Sequence, residues 1–308
     1  LHRNHSDHVS RVAKSGRLTT GLLVNRSFET LYSFRKAQFR QESPRFENSL
    51  PAGDCFFITI MVIKCSNRRN PVIVVPARLG SMRFPRKLLA RVCGKPLVLW
   101  TADRIAREAP DFDLFFAVDG EELEQVLVEG GFSTVSTDPD LPSGTDRIAA
   151  ANEAIAAERI INVQADEPFV TRKQILSLAE ALGKKGADMS TLACRFDRQE
   201  DFDDSNQVKV VTDANGLALY FSRSSIPFPR DGWEEFESSD CLPLRHLGLY
   251  AYSADFLRSF RGLPQGRLEK LEKLEQLRAL EHGRTIAVAL TEEISIGVDT
   301  PADLERIE

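Results

Sequence analysis

From residue 61 onward, short β-branched apolar runs take turns with longer stretches in which apolar residues recur at helical spacing. Val72–Val75 is the clearest of the runs. It is continuous, β-branched and ended by Pro76, which predicts a fully buried strand. A loop follows with Arg78, Gly80, Ser81, Arg83, Arg86 and Lys87, and helical spacing resumes after Pro96 in LVLWTADRIARE. Asp113–Asp119 predicts a strand, Glu121–Glu129 a helix and Ser133–Thr137 a short strand. Thr145–Ala157 predicts a helix with Ile148, Ala151 and Ile155 on one side, Arg159–Asp166 a strand, and Thr171–Leu182 a helix. This alternation predicts the α/β class, a mostly parallel Rossmann-like sheet with helices on both faces.

After Asp188 the rhythm changes. Met189–Phe196, Val208–Thr212, Leu217–Phe221 and Leu247–Ser253 predict strands, and Asn215-Gly216 between two of them is a hairpin signal. A smaller antiparallel platform, inserted at about 189–253, is expected. Gly266–Gly283 predicts one helix whose leucines, 268, 271, 274, 277 and 280, form a core face. Thr285–Leu290 predicts a last strand, and Thr300–Glu308 a last helix with Pro301 in its first turn.

Residues 1–60 follow neither rhythm. They hold nine Lys or Arg against five Asp or Glu, while the whole chain of 308 residues carries a formal charge of −5. They are expected to be an extension, disordered or artefactual, with Met61 the natural start and 61–308 a single domain. The acidic remainder excludes nucleic-acid binding by broad phosphate neutralisation. Five scattered cysteines without a C-x-x-C pair suit a reducing, cytoplasmic setting, and no apolar run approaches membrane-spanning length.

Four stretches concentrate polar chemistry. The loop after the first strand sets cations where an α/β sheet presents its carboxyl edge. It has neither a G-x-G-x-x-G nor a Walker A loop, since Pro96 follows Gly94-Lys95 where Ser or Thr is needed. Ser143-Gly144-Thr145-Asp146-Arg147 opens a helix, where hydroxyls and free N–H groups cap the helix or meet a base or phosphate. Asp166 and Glu167 stand at a strand end before Pro168, and Asp299 stands before the last helix. Two such aspartates beside an Arg/Lys loop suit a magnesium–nucleotide site, because Mg2+ takes one or two carboxylates and fills the rest with phosphate and water.

These stretches, with several more, carry a family resemblance. VPARLGSMRFPRKLL, LPSGTDR, NVQADEP, VKVVTDANGLALYFSRSSIP, LRHLGLYAY, LEKLEKLEQLR and GVDTPADLER occur in this order from about Val72 to Glu308. In that set and order the chain resembles the 3-deoxy-manno-octulosonate (Kdo) cytidylyltransferases, nucleotidyltransferase-type α/β enzymes. CMP-sialic acid synthetases look similar in the first loop but lack ALYFSR, RHLG and LEQLR. Residues 1–60 have no counterpart in the pattern.

The resemblance implies transfer of CMP from CTP to the anomeric hydroxyl of Kdo, with release of pyrophosphate, for lipopolysaccharide biosynthesis. It implies Mg2+ held by Asp166 and Asp299, and Arg78 and Lys87 on the CTP phosphates, these four being the catalytic set. Ser81, Ser143, Gly144, Thr145 and Arg147 complete the nucleotide side. Gln164, Arg223, His246, Glu275 and Gln276 face the sugar acid. Phosphoryl transfer of this kind needs positioning and charge neutralisation, so no general base is assigned, and His246 is read as a binding or packing residue. A homodimer is expected by fold analogy. The alternatives are another 2-keto sugar acid, such as 8-amino-Kdo or a sialic acid, and a non-catalytic sugar-nucleotide binder.

Three positions depart from the family pattern. Arg86 stands where Gly usually precedes the Lys, Ala165 where Gly precedes the Asp, and Val118 where Thr is common before Asp119. Arg86 is expected to add positive charge near the phosphates or to stiffen the loop, and Ala165 to cost on the order of 1 kcal/mol if its position is left-handed and nothing otherwise.

Overall fold

Val72–Ala77 (β1) is buried at all six positions. The strand has helices on both faces, which is why it is apolar at every residue instead of alternating. Ile73, Val75 and Ala77 enter one core, and Val72 and Val74 enter the other. The computed structural model describes residues 71–80, 84–184, 186–238, 241–294, 297–298 and 300–304. The expected extension at 1–60, Ser81 and Asp299 lie outside them.

After β1 come the two-residue strands β2 (Arg91–Val92) and β3 (Lys95–Pro96), which pair with each other, then α1 (Leu97–Glu108), β4 (Leu114–Val118) and α2 (Glu121–Glu129). The next elements are β5 (Ser133–Ser136), α3 (Gly144–Ile155), β6 (Arg159–Asn162), α4 (Arg172–Leu182), β7 (Met189–Arg195) and α5 (Gln199–Asp203). There follow β8 (Lys209–Thr212), β9 (Ala218–Ser222), α6 (Glu235–Ser238), β10 (Leu244–Ser253) and α7 (Ala254–Phe260). The last are α8 (Arg267–Glu272), α9 (Gln276–Glu281), β11 (Ile286–Leu290) and α10 (Pro301–Leu304).

The central sheet runs β11-β7-β10-β6-β1-β4-β5. Every pairing along it is parallel except those of β10, which is antiparallel to both β6 and β7. Helices α1, α2 and α4 bury Leu97, Ile105, Leu123, Leu127, Ile175 and Leu178 on one face. Helices α3, α7 and α9 bury Ile148, Ile155, Phe256, Phe260 and Leu277 on the other. The α/β expectation holds.

The antiparallel region is more closely joined to the sheet than the sequence suggests. β7 and β10 lie inside the central sheet, and only the β8–β9 hairpin hangs from it. The reason is the length of β10, which starts at Leu244 and not at Leu247. Its register shifts between Leu247 and Tyr250; the second half pairs with β6, while Leu244 and Arg245 pair with β8. At the hairpin turn Gly216 has φ +75°, and Asp213 Oδ1 accepts the N–H groups of Asn215 (2.9 Å) and Leu217 (2.8 Å).

The helix expected over Gly266–Gly283 is two helices, α8 and α9, broken where Lys273 adopts a left-handed φ of 56°. Tertiary contacts override the local pattern. The Glu281 carboxylate accepts N–H groups of Arg267, Leu268 and Glu269 at the start of α8, and Arg278 pairs with Glu269. The leucine stripe splits accordingly. Leu274 and Leu277 are buried, while Leu271 is 80% exposed.

Candidate active site

Between β1 and its two neighbours the chain reverses its direction of travel, with β4 and β5 on one side and β6 on the other. Such a switch point opens a crevice outside the carboxyl ends of the strands, where α/β sheets bind ligands. Here it holds a cavity of about 450 Å³ lined by Pro76, Arg78 and Gly80 after β1, Lys87 and Leu88, Gly144, Thr145 and Arg147 of α3, Asn162–Asp166 except Val163, Tyr250 of β10, and Glu275. A larger hollow of about 860 Å³ between α3 and α7 lies away from these residues.

The loop after β1 is anchored at several points. Leu79 N donates to Asp119 Oδ1 (3.2 Å) at the end of β4, and Lys87 Nζ donates to the Val298 carbonyl (2.9 Å). Lys87 also forms an ion pair with Asp166, so the expected phosphate cation and the expected metal carboxylate meet directly. Arg86 adopts φ 59°, ψ 25°, and its side chain pairs with Glu122. A left-handed backbone is one that glycine adopts without a side-chain cost. Ala165 is not among the positive-φ residues, so its side chain adds no such strain. Val118 is fully buried and serves the site through its carbonyl, which accepts from Thr137 N and Oγ1.

At the start of α3, Ser143 Oγ accepts from Asp146 N (3.1 Å), the N-cap arrangement that leaves the Gly144 and Thr145 N–H groups at the cleft. Arg147 is 2% exposed and donates to Thr137 Oγ1; burial lowers its pKa, and Asp119 opposes that shift. Across the cleft Gln164 Nε2 reaches the Gly248 carbonyl at 3.5 Å. Glu275 Oε1 lies 3.0 Å from Ser143 Oγ; burial raises its pKa, and its contacts with Thr145 and Ser143 oppose the rise.

The other residues expected on the sugar side stand farther back. Arg223 gives Nε to the Glu272 carbonyl (2.7 Å) and Nη1 to the Ser205 carbonyl (3.1 Å), bracing the hairpin against α8. His246 Nε2 lies 2.9 Å from Thr191 Oγ1, with Phe221 and Tyr250 walling the ring. Burial pushes its pKa down to about 3, so the imidazole is neutral near pH 7. Gln276 is 6% exposed and lines a small hollow behind Tyr250 and Tyr252.

The sequence reading passed over four residues that shape the cleft. Asn162 is buried, and its Nδ2 donates to Tyr252 OH (3.3 Å). Tyr250 lines the cavity, Asp146 joins the Ser143 cap, and Asp119 holds the loop after β1. Each lies inside or beside a stretch already singled out. A strand-end polar residue in an otherwise apolar run was the signal for Asn162.

A mostly parallel sheet whose switch point gathers arginine, lysine, a strand-end carboxylate and a helix N-terminus has the groups to hold a nucleotide's phosphates. A family profile described as "Cytidylyltransferase" matches residues 72–286. The chain belongs to the cytidylyltransferase family. It is 44% identical over 244 residues to a 3-deoxy-manno-octulosonate cytidylyltransferase of Geobacter sulfurreducens, covering 77% of this chain and 98% of that one. An 8-amino-3,8-dideoxy-manno-octulosonate cytidylyltransferase of Shewanella putrefaciens is 41% identical over 247 residues, covering 78% and 97%. A solved structure of CMP:2-keto-3-deoxy-manno-octonic acid synthetase complexed with CTP is 34% identical, with a TM-score of 0.71 over 77% of this chain and 96% of that one.

Proposed function

We propose that this cytidylyltransferase moves CMP from CTP to the anomeric hydroxyl of 3-deoxy-D-manno-octulosonate, releasing pyrophosphate, as a step of lipopolysaccharide biosynthesis. The observation that carries the reading is the cleft itself. Arg78, Lys87 and the N-terminus of α3 converge on one wall, and Gln164, Tyr250 and Glu275 lie on the others. A triphosphate and a sugar acid are both anionic, and a reaction between them needs charge neutralised and two reactants aligned.

Arg78 and Lys87 take the phosphates, and the Ser143–Arg147 segment takes the nucleoside. Lys87 is the residue whose partner changes. In the substrate-free protein it neutralises Asp166, and phosphate oxygens give it a second anion, leaving Asp166 free to ligate. Gln164 and Glu275 orient the sugar acid, with His246, Arg223 and Gln276 behind them.

Magnesium fits the donors present. Asp166 offers a partly exposed hard oxygen ligand beside an open polar cavity, and Mg2+ accepts one or two carboxylates alongside phosphate and water. When bound, the ion neutralises phosphate charge and lowers the pKa of a coordinated hydroxyl. Asp299 is the second ligand in this reading.

The reading includes a homodimer acting in the cytoplasm. The exposed apolar side chains Leu219, Phe228 and Leu271 support association, and sedimentation of the full chain tests it. Among the described residues no helix is long and apolar enough to cross a membrane.

The Shewanella relative favours a second reading, 8-amino-Kdo as the acceptor, since one contact separates a hydroxyl from an amine. Pyrophosphate release decides between them. Release that needs CTP, Mg2+ and Kdo together supports the main reading. Release with the 8-amino sugar alone moves the acceptor, and release with UTP or ATP in place of CTP contradicts the nucleotide assignment.

A further inference from the structure

Six side chains form one hydrogen-bond chain along the wall of the cleft. Asn162 Nδ2 lies 3.3 Å from Tyr252 OH, and Tyr252 OH lies 3.3 Å from Thr145 Oγ1. Thr145 hydrogen-bonds Glu275, and Glu275 Oε1 lies 3.0 Å from Ser143 Oγ. Ser143 Oγ then lies 2.6 Å from Asp146 Oδ2 and also receives the Asp146 N–H at 3.1 Å.

The hydrogens in this chain can be counted. A hydroxyl donates one hydrogen and accepts two bonds, and an ionised carboxylate donates none. Ser143 Oγ has two carboxyl oxygens and one N–H around it. Its single hydrogen serves the shorter contact, to Asp146. The contact to Glu275 then brings two lone pairs together unless Glu275 supplies a hydrogen. With one added proton on Glu275 every contact becomes a hydrogen bond in one direction. Asn162 donates to Tyr252, Tyr252 to Thr145, Thr145 to Glu275, Glu275 Oε1 to Ser143, and Ser143 to Asp146.

Charge leads to the same count. Asp146 is 5% exposed, and the α9 cation that interacts with both carboxyls, Arg278, is committed to Glu269 through bonds of 2.9 and 2.6 Å. From β10 the groups facing Glu275 are Tyr250 and Tyr252; from α3 they are Ser143, Thr145 and Asp146. On the far wall Lys87 is paired with Asp166, and Arg147 is bonded to Thr137. Two neighbouring carboxyls, one buried and one partly buried, beside one already neutralised guanidinium share a proton more readily than they hold two negative charges.

We infer that Glu275 is a neutral carboxylic acid in the substrate-free protein, its proton donated to Ser143, and that the cleft takes its anionic sugar acid with this proton in place. The second half rests on the proposed function; the first does not. A neutral acid places no negative charge against the sugar carboxylate, whereas a carboxylate there would repel both substrates. Loss of the proton weakens sugar-acid binding by roughly tenfold per pH unit above the Glu275 pKa, as one-proton linkage requires.

Infrared difference spectroscopy on the full chain without substrate reads the proton directly. At about pH 7 the wild-type protein is expected to show a protonated-carboxyl band that Glu275→Gln lacks. The band should titrate above the ordinary glutamate range, near 4.3. Absence of such a band, or a midpoint within the ordinary range, overturns the inference whatever the substrate is. Asp146→Asn gives an independent reading if Glu275→Gln does not fold. Removing the neighbouring negative charge should lower the band's midpoint, and an unchanged midpoint again counts against the shared proton. Calorimetric titration of Kdo across pH then tests the second half. Affinity that falls with pH in wild type but not in Glu275→Gln supports it, and equal slopes refute it. A wild-type protein that shows the band but binds no Kdo points instead to a wrong substrate.

Discussion

On the β1 side of the cleft, charged groups reach the opening on a loop and keep part of their surface; Lys87 and Asp166 pair there while still 13% and 23% exposed. On the β10–α9 side, polar groups are buried and joined to one another. Lys209, fully buried, donates to the Asp204 (2.8 Å) and Arg223 (2.9 Å) carbonyls, and Glu269 and Arg278 pair at 6% exposure each. Under the proposed function the first side exchanges partners when phosphates arrive. The second is held in one arrangement before any ligand binds. A triphosphate is recognised by charge, which tolerates movement, whereas a sugar acid must be told from close analogues by fixed hydrogen bonds.

That difference can be broken at its buried end first. Arg278→Met leaves Glu269 buried without its cation, and the expected loss is about 3–5 kcal/mol of folding stability. Urea unfolding measures it; a loss below about 1 kcal/mol would mean the pair is not the clasp between α8 and α9.

On the open side the effect should fall on turnover and not on stability. Asp166→Asn is expected to lower kcat by at least about a hundredfold, on the order of 3 kcal/mol in the barrier. Its melting temperature should stay near that of wild type, because the carboxylate is partly exposed. Unchanged turnover would remove Asp166 from the proposed magnesium site.

Acid should act on the buried side. His246 is neutral when folded, with its pKa pushed down to about 3, and takes up a proton in the unfolded chain at about 6.5. The unfolded state therefore binds more protons between those values, and stability contributed by the neutral ring is lost as pH falls through that window. Thermal melts of wild type and His246→Gln over that range should diverge, with the variant less sensitive to acid. Parallel curves would mean the ring is open to water.

The smallest effect belongs to the strained loop. Arg86→Gly should be more stable than Arg86→Ala by about 1 kcal/mol, since both lose the ion pair and only glycine relieves the left-handed backbone. Equal stabilities would place the strain elsewhere.

The open side was the more legible in sequence. A β-branched run, a proline, a basic loop and a helix start are local signals, and β1, α3 and the loop cations follow from them directly. The buried side depends on contacts far apart in the chain. Nothing local to Lys273 announces a left-handed break, because the Glu281 and Arg278 contacts that impose it lie further along the chain. The bulge in β10 and its change of partner from β8 to β6 are likewise set by register across the sheet. Asn162 and Asp146 escaped notice for a related reason. Each looks like an ordinary strand end or cap until Tyr252 and Glu275 are brought beside it.

The most direct test of the whole account is phosphorus NMR of the products made from CTP, Mg2+ and Kdo. The account predicts a phosphodiester joining CMP to the anomeric oxygen of the sugar acid, formed in step with pyrophosphate. CMP released at the same rate without the sugar acid, or folded protein that binds CTP and forms no phosphodiester with Kdo or its 8-amino analogue, would contradict it.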